Sequence, residues 1–577
     1  MKKHFSIQNI TFILTLILVV FFLGKNLMPS NTMFEFHDET QGARVQEFTV
    51  NLQNGIVPPR VAPHFSFHMG YPVFNFYAPF SYWMTSSLHI LGLDIADSLK
   101  VSFLLAITIA FMGMYAFLKL YFKFLPSVIG AVLYVASPWL AAEIFVRGNL
   151  GEVWFWGLLP LALYAIYEQD EYQSPVIFAA TVFILSCILT VHNIFSLLFV
   201  PIAVIYIWIT CNKLKSYVAL GLALLFSSYF LLPAIAESSL TYAREVATMT
   251  KYSDHFLCIN QLWSAPYWGF GGSAPGCLND GMAFMIGKAQ IILGILGMGL
   301  FVLQILYRIY RSKNITKKEN GNNSPIGIYT AVLVMTIGSL FLITYPSQTI
   351  WELFKPILSL FQFPWRFLFF LVFGFSFFST FIMNKFKFKG AMIVISVIGL
   401  YVLISTSNKY FYKQTISKSE YNAKYLNEQY IRNTVAYKIP EYLPKTANYK
   451  VWRQFENKDI YSNAIIRTID GHEAVTQQND LYNKVGQTSS EKFLLNIHYV
   501  PFWEIRINNQ IYKPTSFDSL GRPQISTLPG KKTVEITYKQ TPIEVAGNVI
   551  TIITFFLVML LLYNSKYLWK HMKIIKK

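Results

Sequence analysis

The sequence predicts a polytopic α-helical membrane protein with about twelve transmembrane helices and an extracytoplasmic β-rich, sandwich-like domain just before the last helix. Three observations carry this. Hydrophobic residues fill 54% of the 577 positions and charged residues only 14%, too apolar a balance for a soluble chain of this length. Apolar runs of roughly 17–25 residues, each able to cross the hydrocarbon layer as a helix, recur along the chain. The short basic connections between these runs fall on alternate loops, as they do when Lys and Arg collect on the cytoplasmic side.

The first run lies in "MKKHFSIQNITFILTLILVVFFLGK" and is preceded by Lys2 and Lys3. No small-x-small cleavage pattern follows it, so it reads as a retained anchor rather than a removed signal. The candidate spans are 10–28, 99–121, 124–142, 152–168, 174–191, 193–211, 216–235, 288–310, 325–345, 365–384, 389–407 and 545–563. Twelve crossings put the N-terminus, "KFLP" (123–126), "NKLKS" (212–216), "RSKNITKKENGNNS" (311–324), "NKFKFKG" (384–390) and the tail "KYLWKHMKIIKK" on one side, read as cytoplasmic. The segment "PFSYWMTSSLHILGL" (79–93) is apolar but short, carries Ser86, Ser87 and His89, and as a thirteenth span would invert every later loop. It reads as an interfacial or re-entrant helix. The acidic "EQDEYQ" (168–173) falls inside without basic residues, which weighs little in this rule.

The domain organisation follows: a membrane domain over 1–407 with a long first outer loop at 29–98, an extracytoplasmic domain over 408–544, and a last helix with a basic cytoplasmic tail over 545–577. In the second of these, "KFLLNIHYV", "WEIRINNQIY" and "KKTVEITYKQ" cluster β-formers between the turn signals "NNQ" and "LPGKK". The natural placement is a prokaryotic plasma membrane.

The formal charge of +18 is explained by cytoplasmic loops and does not call for a nucleic-acid partner. Four cysteines exclude a disulfide scaffold, and no CxxC pair suggests zinc. Cys258 and Cys277 both fall outside, where a disulfide is permitted; Cys187 and Cys211 lie in or at the ends of spans and read as packing. "GFGGSA" neither follows a strand nor opens a helix, which rejects it as a dinucleotide fingerprint.

Ionisable residues avoid the middles of the spans and crowd one face. "EIFVRGNLGE" (143–152) brings Glu143, Arg147, Asn149 and Glu152 to an outer turn; "TVHN" brings His192 to the next; Glu237 follows the seventh span; "FQFPWRF" puts Arg366 at the start of the tenth. "FEFHDETQGARV" places His37, Asp38 and Glu39 just beyond the anchor. Each has a structural alternative: Arg366 beside Trp365 as an interface anchor, His192 as a helix cap, "FHDE" as a solvated loop. "RGNLGE" is the hardest to dismiss, because a tight apolar hairpin needs neither an arginine nor two carboxylates.

The run "FHDE…NLQNGIVPPRVAPHFSFHMGYPVFNFYAPFSYW", with "RGNLGE" after it, resembles the bacterial membrane family called 6-pyruvoyl-tetrahydropterin synthase-related, grouped with the GT-C glycosyltransferases. The resemblance covers roughly residues 1–400, and the tail "IHYVPFWEIRINNQIYKPTSFDSLGRPQISTLPGKKTVEITY" looks like the β-module that closes related glycosyltransferase-like proteins. It implies a GT-C-like fold and transfer of a sugar from a polyprenyl-phosphate-linked donor to an envelope glycan or lipid acceptor on the extracytoplasmic face. An acidic residue of the first outer loop would be the general base, which matches Asp38 or Glu39, with Asp38 preferred. Arg147 and Arg366 would hold the lipid phosphate by charge-assisted hydrogen bonds, with His37, Asn149, Glu152 and His192 completing the substrate and lipid-phosphate site. His37 and Glu39 are alternatively ligands for a divalent metal such as magnesium or manganese, which some GT-C enzymes need. The rival readings are a lipid or glycan transporter or flippase, and a non-catalytic envelope-assembly protein. A transporter ordinarily places polar groups at the membrane midplane; an assembly protein would make Asp38 dispensable.

Overall fold

Every run read as a span is helical in the computed structural model. It describes residues 7–575 apart from 173, 212, 246–249, 266–271, 278–279, 313–325, 387–388, 436–439, 453, 455–463, 469–471 and 473. Most of the basic loop 311–324 and part of the glycine-rich "WGFGGSAPGCLND" therefore lie outside the described residues. Among the described residues, eight helical segments are long and apolar enough to cross a bilayer alone, and Leu214–Phe226 with Ser228–Ala236 makes a ninth when taken as one span bent by 68°. The bend falls at the Ser227–Ser228 pair, where the Ser227 hydroxyl donates to the Ala223 carbonyl at 2.8 Å, a familiar cause of helix bending. Pro175–Leu189, Ile326–Leu342 and Ile393–Lys409 are apolar but shorter. A helix of 15 residues such as Pro175–Leu189 reaches only about 22 Å, short of the roughly 30 Å hydrocarbon layer. The nine coincide with nine of the twelve expected spans, and the three short helices with the others.

Phe124–Arg147, Leu150–Glu171 and Pro364–Met383 form the centre of the bundle, while Ile7–Leu27, Lys288–Arg311 and Pro542–Tyr563 keep most of their surface outward. Glycine sets the closest approaches. A Cβ on Gly157 would meet the Ala106 carbonyl oxygen at 2.9 Å, and one on Gly297 would meet the Phe378 carbonyl oxygen at 2.1 Å. Phe373 and Phe377 then interlock with Phe117, Tyr134 and Tyr329 across the centre.

The first long loop is ordered structure. Strand β1 (Thr32–Phe34) pairs antiparallel with β2 (Thr415–Ser417), and the helices Gln41–Gln53 and Phe80–Ile90 pack on each other. The latter is the segment expected to be interfacial or re-entrant; it runs 11 residues, too short to cross.

The β-rich region begins later than the boundary at 408. Residues 410–465, where described, are short helices, turns and β2, because aromatic pairs such as Tyr421–Tyr425 pack this stretch as helix against the membrane domain. Among the described residues eight strands follow: β3 (Ile466–Thr468), β4 (Val475–Asn479), β5 (Asn483–Thr488), β6 (Lys492–Leu495), β7 (Trp503–Ile507), β8 (Gln510–Tyr512), β9 (Gln524–Ser526) and β10 (Lys532–Tyr538). They form a five-stranded sheet ordered β4-β5-β10-β7-β8 and a three-stranded sheet ordered β3-β6-β9. Ile466, Phe493, Leu495 and Ile525 of the smaller sheet share a core with Ile505, Val534 and Ile536 of the larger one. The β7–β8 hairpin turns at Asn508 and Asn509, both at positive φ (49° and 66°), as a two-residue primed turn requires.

A buried polar network ties the first long loop to the end of the bent span and to the start of the last helix. Arg60 donates to Asn75 and to Asn548 of the last helix, both at 3.0 Å, while Glu237 accepts from Asn75 at 2.9 Å and from Thr541 at 2.6 Å.

Packing at Gly297 yields a paired test. Gly297→Leu should lower the thermal midpoint of the detergent-solubilised protein by several degrees, since overfilling a packed site costs about 1–3 kcal/mol. Gly299→Leu, on the same helix where a Cβ meets nothing within 4 Å, should leave the midpoint in place.

Candidate active site

The chain reaches the loop-bearing end of the bundle through a broken helix. Ser137 caps the short helix Pro138–Ala142, a π-turn follows over Glu143–Arg147, and Gly148 closes it at φ 66°. A side chain at Gly148 would be both strained and blocked, since its Cβ would meet the Phe36 ring at 2.1 Å. Asn149 then caps Leu150–Glu171, its side-chain oxygen accepting from the Glu152 backbone N–H at 3.1 Å. Glu152 therefore sits in the first helical turn, where the helix dipole favours an anion.

Glu152 is buried and gathers cations. Arg147 donates to its two carboxylate oxygens at 2.9 and 3.1 Å, Arg366 donates through Nε at 3.2 Å, and Asn149 donates at 2.9 Å. Arg147 also pairs with Glu143 at 2.5 Å and stacks 4.5 Å over the Trp365 ring. His192 Nε2 lies 3.7 Å from the same Glu152 oxygen. Burial pushes the His192 imidazole down to about 3, with Arg366 and Arg147 adding to the shift and Glu152 opposing it. The ring is neutral at physiological pH, and Nδ1 accepts from the Phe195 N–H at 3.5 Å, a long cap on the next span.

The "FHDE" stretch docks onto this turn through its backbone. The N–H groups of His37 and Asp38 donate to the carbonyls of Val146 and Arg147, each at 2.8 Å. The Asp38 carboxylate accepts from the Gln41 side chain at 2.8 Å and stays half-buried. It lines a cavity of about 410 Å³ together with Arg44, Tyr77, Arg147, Asn149, His192, Asn193, Gln362, Arg366, Glu441 and Tyr442.

The structure thus brings Asp38, Arg147, Asn149, His192 and Arg366 to one cavity, with Glu152 behind its wall. Glu39 and His37 do not line it: His37 is exposed, and the Glu39 carbonyl accepts from Tyr425 at 2.5 Å. Cys258 and Cys277 are joined as a disulfide in the loop beside it, and Ser273 of that loop accepts from the Trp365 indole at 2.9 Å.

Sequence reasoning missed Arg44, Glu441 and Tyr442. Arg44 is buried, donates to the Tyr82 hydroxyl at 3.0 Å and lies 4.5 Å over the Tyr77 ring; among the described residues it makes no carboxylate salt bridge. A signal for it existed: Gln41, Arg44, Glu47 and Asn51 recur every three to four residues and are all buried, a polar stripe on one helical face. Glu441 and Tyr442 come from a stretch without any motif.

Fold and cavity together define a polytopic membrane protein with a cation-rich polar site at the end that carries its long loops. Residues 74–272 match the family described as 6-pyruvoyl-tetrahydropterin synthase related domain, a membrane protein family. No protein of curated function matches the sequence. Among solved structures, the chain is similar to the Archaeoglobus fulgidus oligosaccharyltransferase tethered to an acceptor peptide, at 12% identity and TM-score 0.43, over 79% of this chain and 59% of that one. It is also similar to the arabinofuranosyltransferase AftD from Mycobacteria, at 12% identity and TM-score 0.38, over 70% of this chain and 26% of that one. This chain therefore spans less than two thirds of either enzyme's length.

Two outcomes follow from the buried charges. Glu152→Ala removes the carboxylate that Arg147 and Arg366 share and should cost about 3–5 kcal/mol, seen as loss of monodisperse protein on size exclusion; Glu152→Gln should lose less. The unfolded chain protonates His192 below about 6.5 and the folded chain only near 3, so between those values the unfolded state binds the extra proton and stability falls with pH. Thermal midpoints taken from pH 7 down to 5 should decline less steeply in His192→Asn.

Proposed function

We propose that this protein is a membrane glycosyltransferase that transfers a sugar from a polyprenyl-phosphate-linked donor to an envelope glycan or lipid acceptor. In this reading it has twelve crossings and a GT-C-like fold, and it works on the extracytoplasmic side of a plasma membrane with both termini cytoplasmic. The carrying observation is the backbone docking of Asp38 onto Arg147, which holds a carboxylate at the wall of a cavity lined by guanidiniums. The match of residues 74–272 to a membrane protein family supports the membrane placement of this reading.

Each residue has a task in this reaction. The acceptor hydroxyl gives its proton to Asp38 while its oxygen attacks the anomeric carbon. The bond from that carbon to the phosphate oxygen breaks, the phosphate leaves with the electron pair, and the configuration inverts. Arg147 is committed to Glu143 and Glu152, and Arg366 shares Glu152. Arg44 is therefore the cation left to meet the leaving phosphate, with Arg366 beside it. The Tyr77 and Tyr442 rings flank the space a sugar would take.

The test compares envelope glycan composition by mass spectrometry in wild type, a deletion strain, and deletions complemented with Asp38→Asn or Arg44→Gln at matched membrane abundance. Loss of one sugar modification in the deletion, unrestored by Asp38→Asn and reduced at least tenfold by Arg44→Gln, is the expected result. Full restoration by Asp38→Asn would remove the carboxylate from the chemistry and bring transport or assembly forward.

A further inference from the structure

A second polar cluster lies apart from the cavity, in the stretch "HFSFHMG" (64–70) of the first loop. Three successive residues there, Ser66, Phe67 and His68, have φ of 60°, 55° and 68°. None is glycine, so the chain holds a left-handed turn that L-residues ordinarily avoid. Strain of this kind persists where the surroundings impose it, often at a ligand clamp. Its effect is to bring His64 and His68 together, with ring centroids 4.7 Å apart and the His68 N–H donating to the His64 carbonyl at 3.3 Å.

The ring orientations are set from behind. Buried Glu47 accepts from the His64 backbone N–H through one oxygen at 2.8 Å and meets His64 Nδ1 through the other at 2.7 Å. Nδ1 then carries its proton toward Glu47, and Nε2 faces the opposite side. There Nε2 of His64 and Nε2 of His68 lie 3.7 and 4.0 Å from the two oxygens of Glu428. The three donor groups fall within 4.8 Å of one another. Two imidazole nitrogens and a carboxylate thus face one point, an arrangement that a divalent cation can bridge.

We propose that His64, His68 and Glu428 bind a divalent transition metal of the zinc type, and that the metal staples the first long loop to the segment leading into the β-rich region. Two imidazoles with one carboxylate is a ligand set suited to zinc, at about 2.0–2.2 Å from each donor. Glu47 supplies the carboxylate behind a ligating histidine that fixes its tautomer. The Glu428 side chain is 62% exposed and closes the remaining distance by moving inward. Lys484 of β5 and Arg432 add positive charge near the pair, balanced by the carboxylates of Glu47 and Glu428. Binding displaces the Nε2 proton from any charged His64, so affinity falls as pH is lowered. This inference does not depend on the transferase reading.

The full chain, purified in detergent and stripped with EDTA, is titrated with zinc chloride, and retained zinc is measured by plasma mass spectrometry after desalting. One zinc per chain is expected, with affinity at least tenfold weaker in His64→Ala, His68→Ala and Glu428→Gln, and unchanged in His37→Ala. X-ray absorption of the zinc-loaded wild type, which needs no variant to fold, should show two imidazoles on the metal. Failure of the wild type to retain zinc, retention of a full equivalent by the His64→Ala/His68→Ala double variant, or a spectrum without imidazole would each overturn the proposal.

Discussion

Glu152 carries its charge beneath the surface, and two guanidiniums, an amide and an imidazole from separate stretches of chain converge on it. A buried ion pair of this kind adds little to stability against a well-packed apolar substitute, yet losing one partner is severe. Its role is positional. By tying the 143–152 turn to the 364–367 turn and to His192, it fixes the wall against which Asp38 docks. The cavity is therefore shaped by charges that are mostly satisfied among themselves, leaving Asp38 half-buried and Arg44 without a carboxylate partner among the described residues.

The membrane architecture was legible because it depends on length and apolarity alone. Spans such as 99–121 and 545–563 announce themselves, and the strand signals at 492–512 and 532–538 match helix-free stretches with the turn at Asn508–Asn509. Less legible was the stretch 410–465, which carried no strand signal of its own yet was included in the β-rich domain, and whose rings pack as short helices on the bundle. At the site, charge in an otherwise apolar hairpin singled out "RGNLGE", and its Arg147 and Asn149 line the cavity. Arg44 escaped because its helix, Gln41–Gln53, buries a polar stripe rather than an apolar one, so a search for hydrophobic periodicity passes over it. The His64–His68 pair escaped for another reason: a spacing of four suggests a right-handed helix, and the backbone achieves the same neighbourhood with the opposite hand.

That polar stripe also joins the two clusters. Arg44 lines the cavity, and Glu47, one turn further on, holds His64. Both side chains lie on the helix Gln41–Gln53, so a single element positions a residue of each cluster. Asn51 completes the row, donating to the Val61 carbonyl at 2.7 Å and pinning the chain that leads into the histidine turn.

The pairing of β1 with β2 sets a timetable for biosynthesis. Thr32 pairs with Ser417, so the strand beside Asp38 emerges early and waits while nearly the whole bundle is made. At roughly 5–20 residues per second, that wait is on the order of 20 to 80 seconds. Glu441 and Tyr442, which line the cavity, arrive later still. A nascent chain thus completes its bundle before it owns a complete site, and a truncation just ahead of residue 415 removes β2 and the Glu441 and Tyr442 part of the cavity wall.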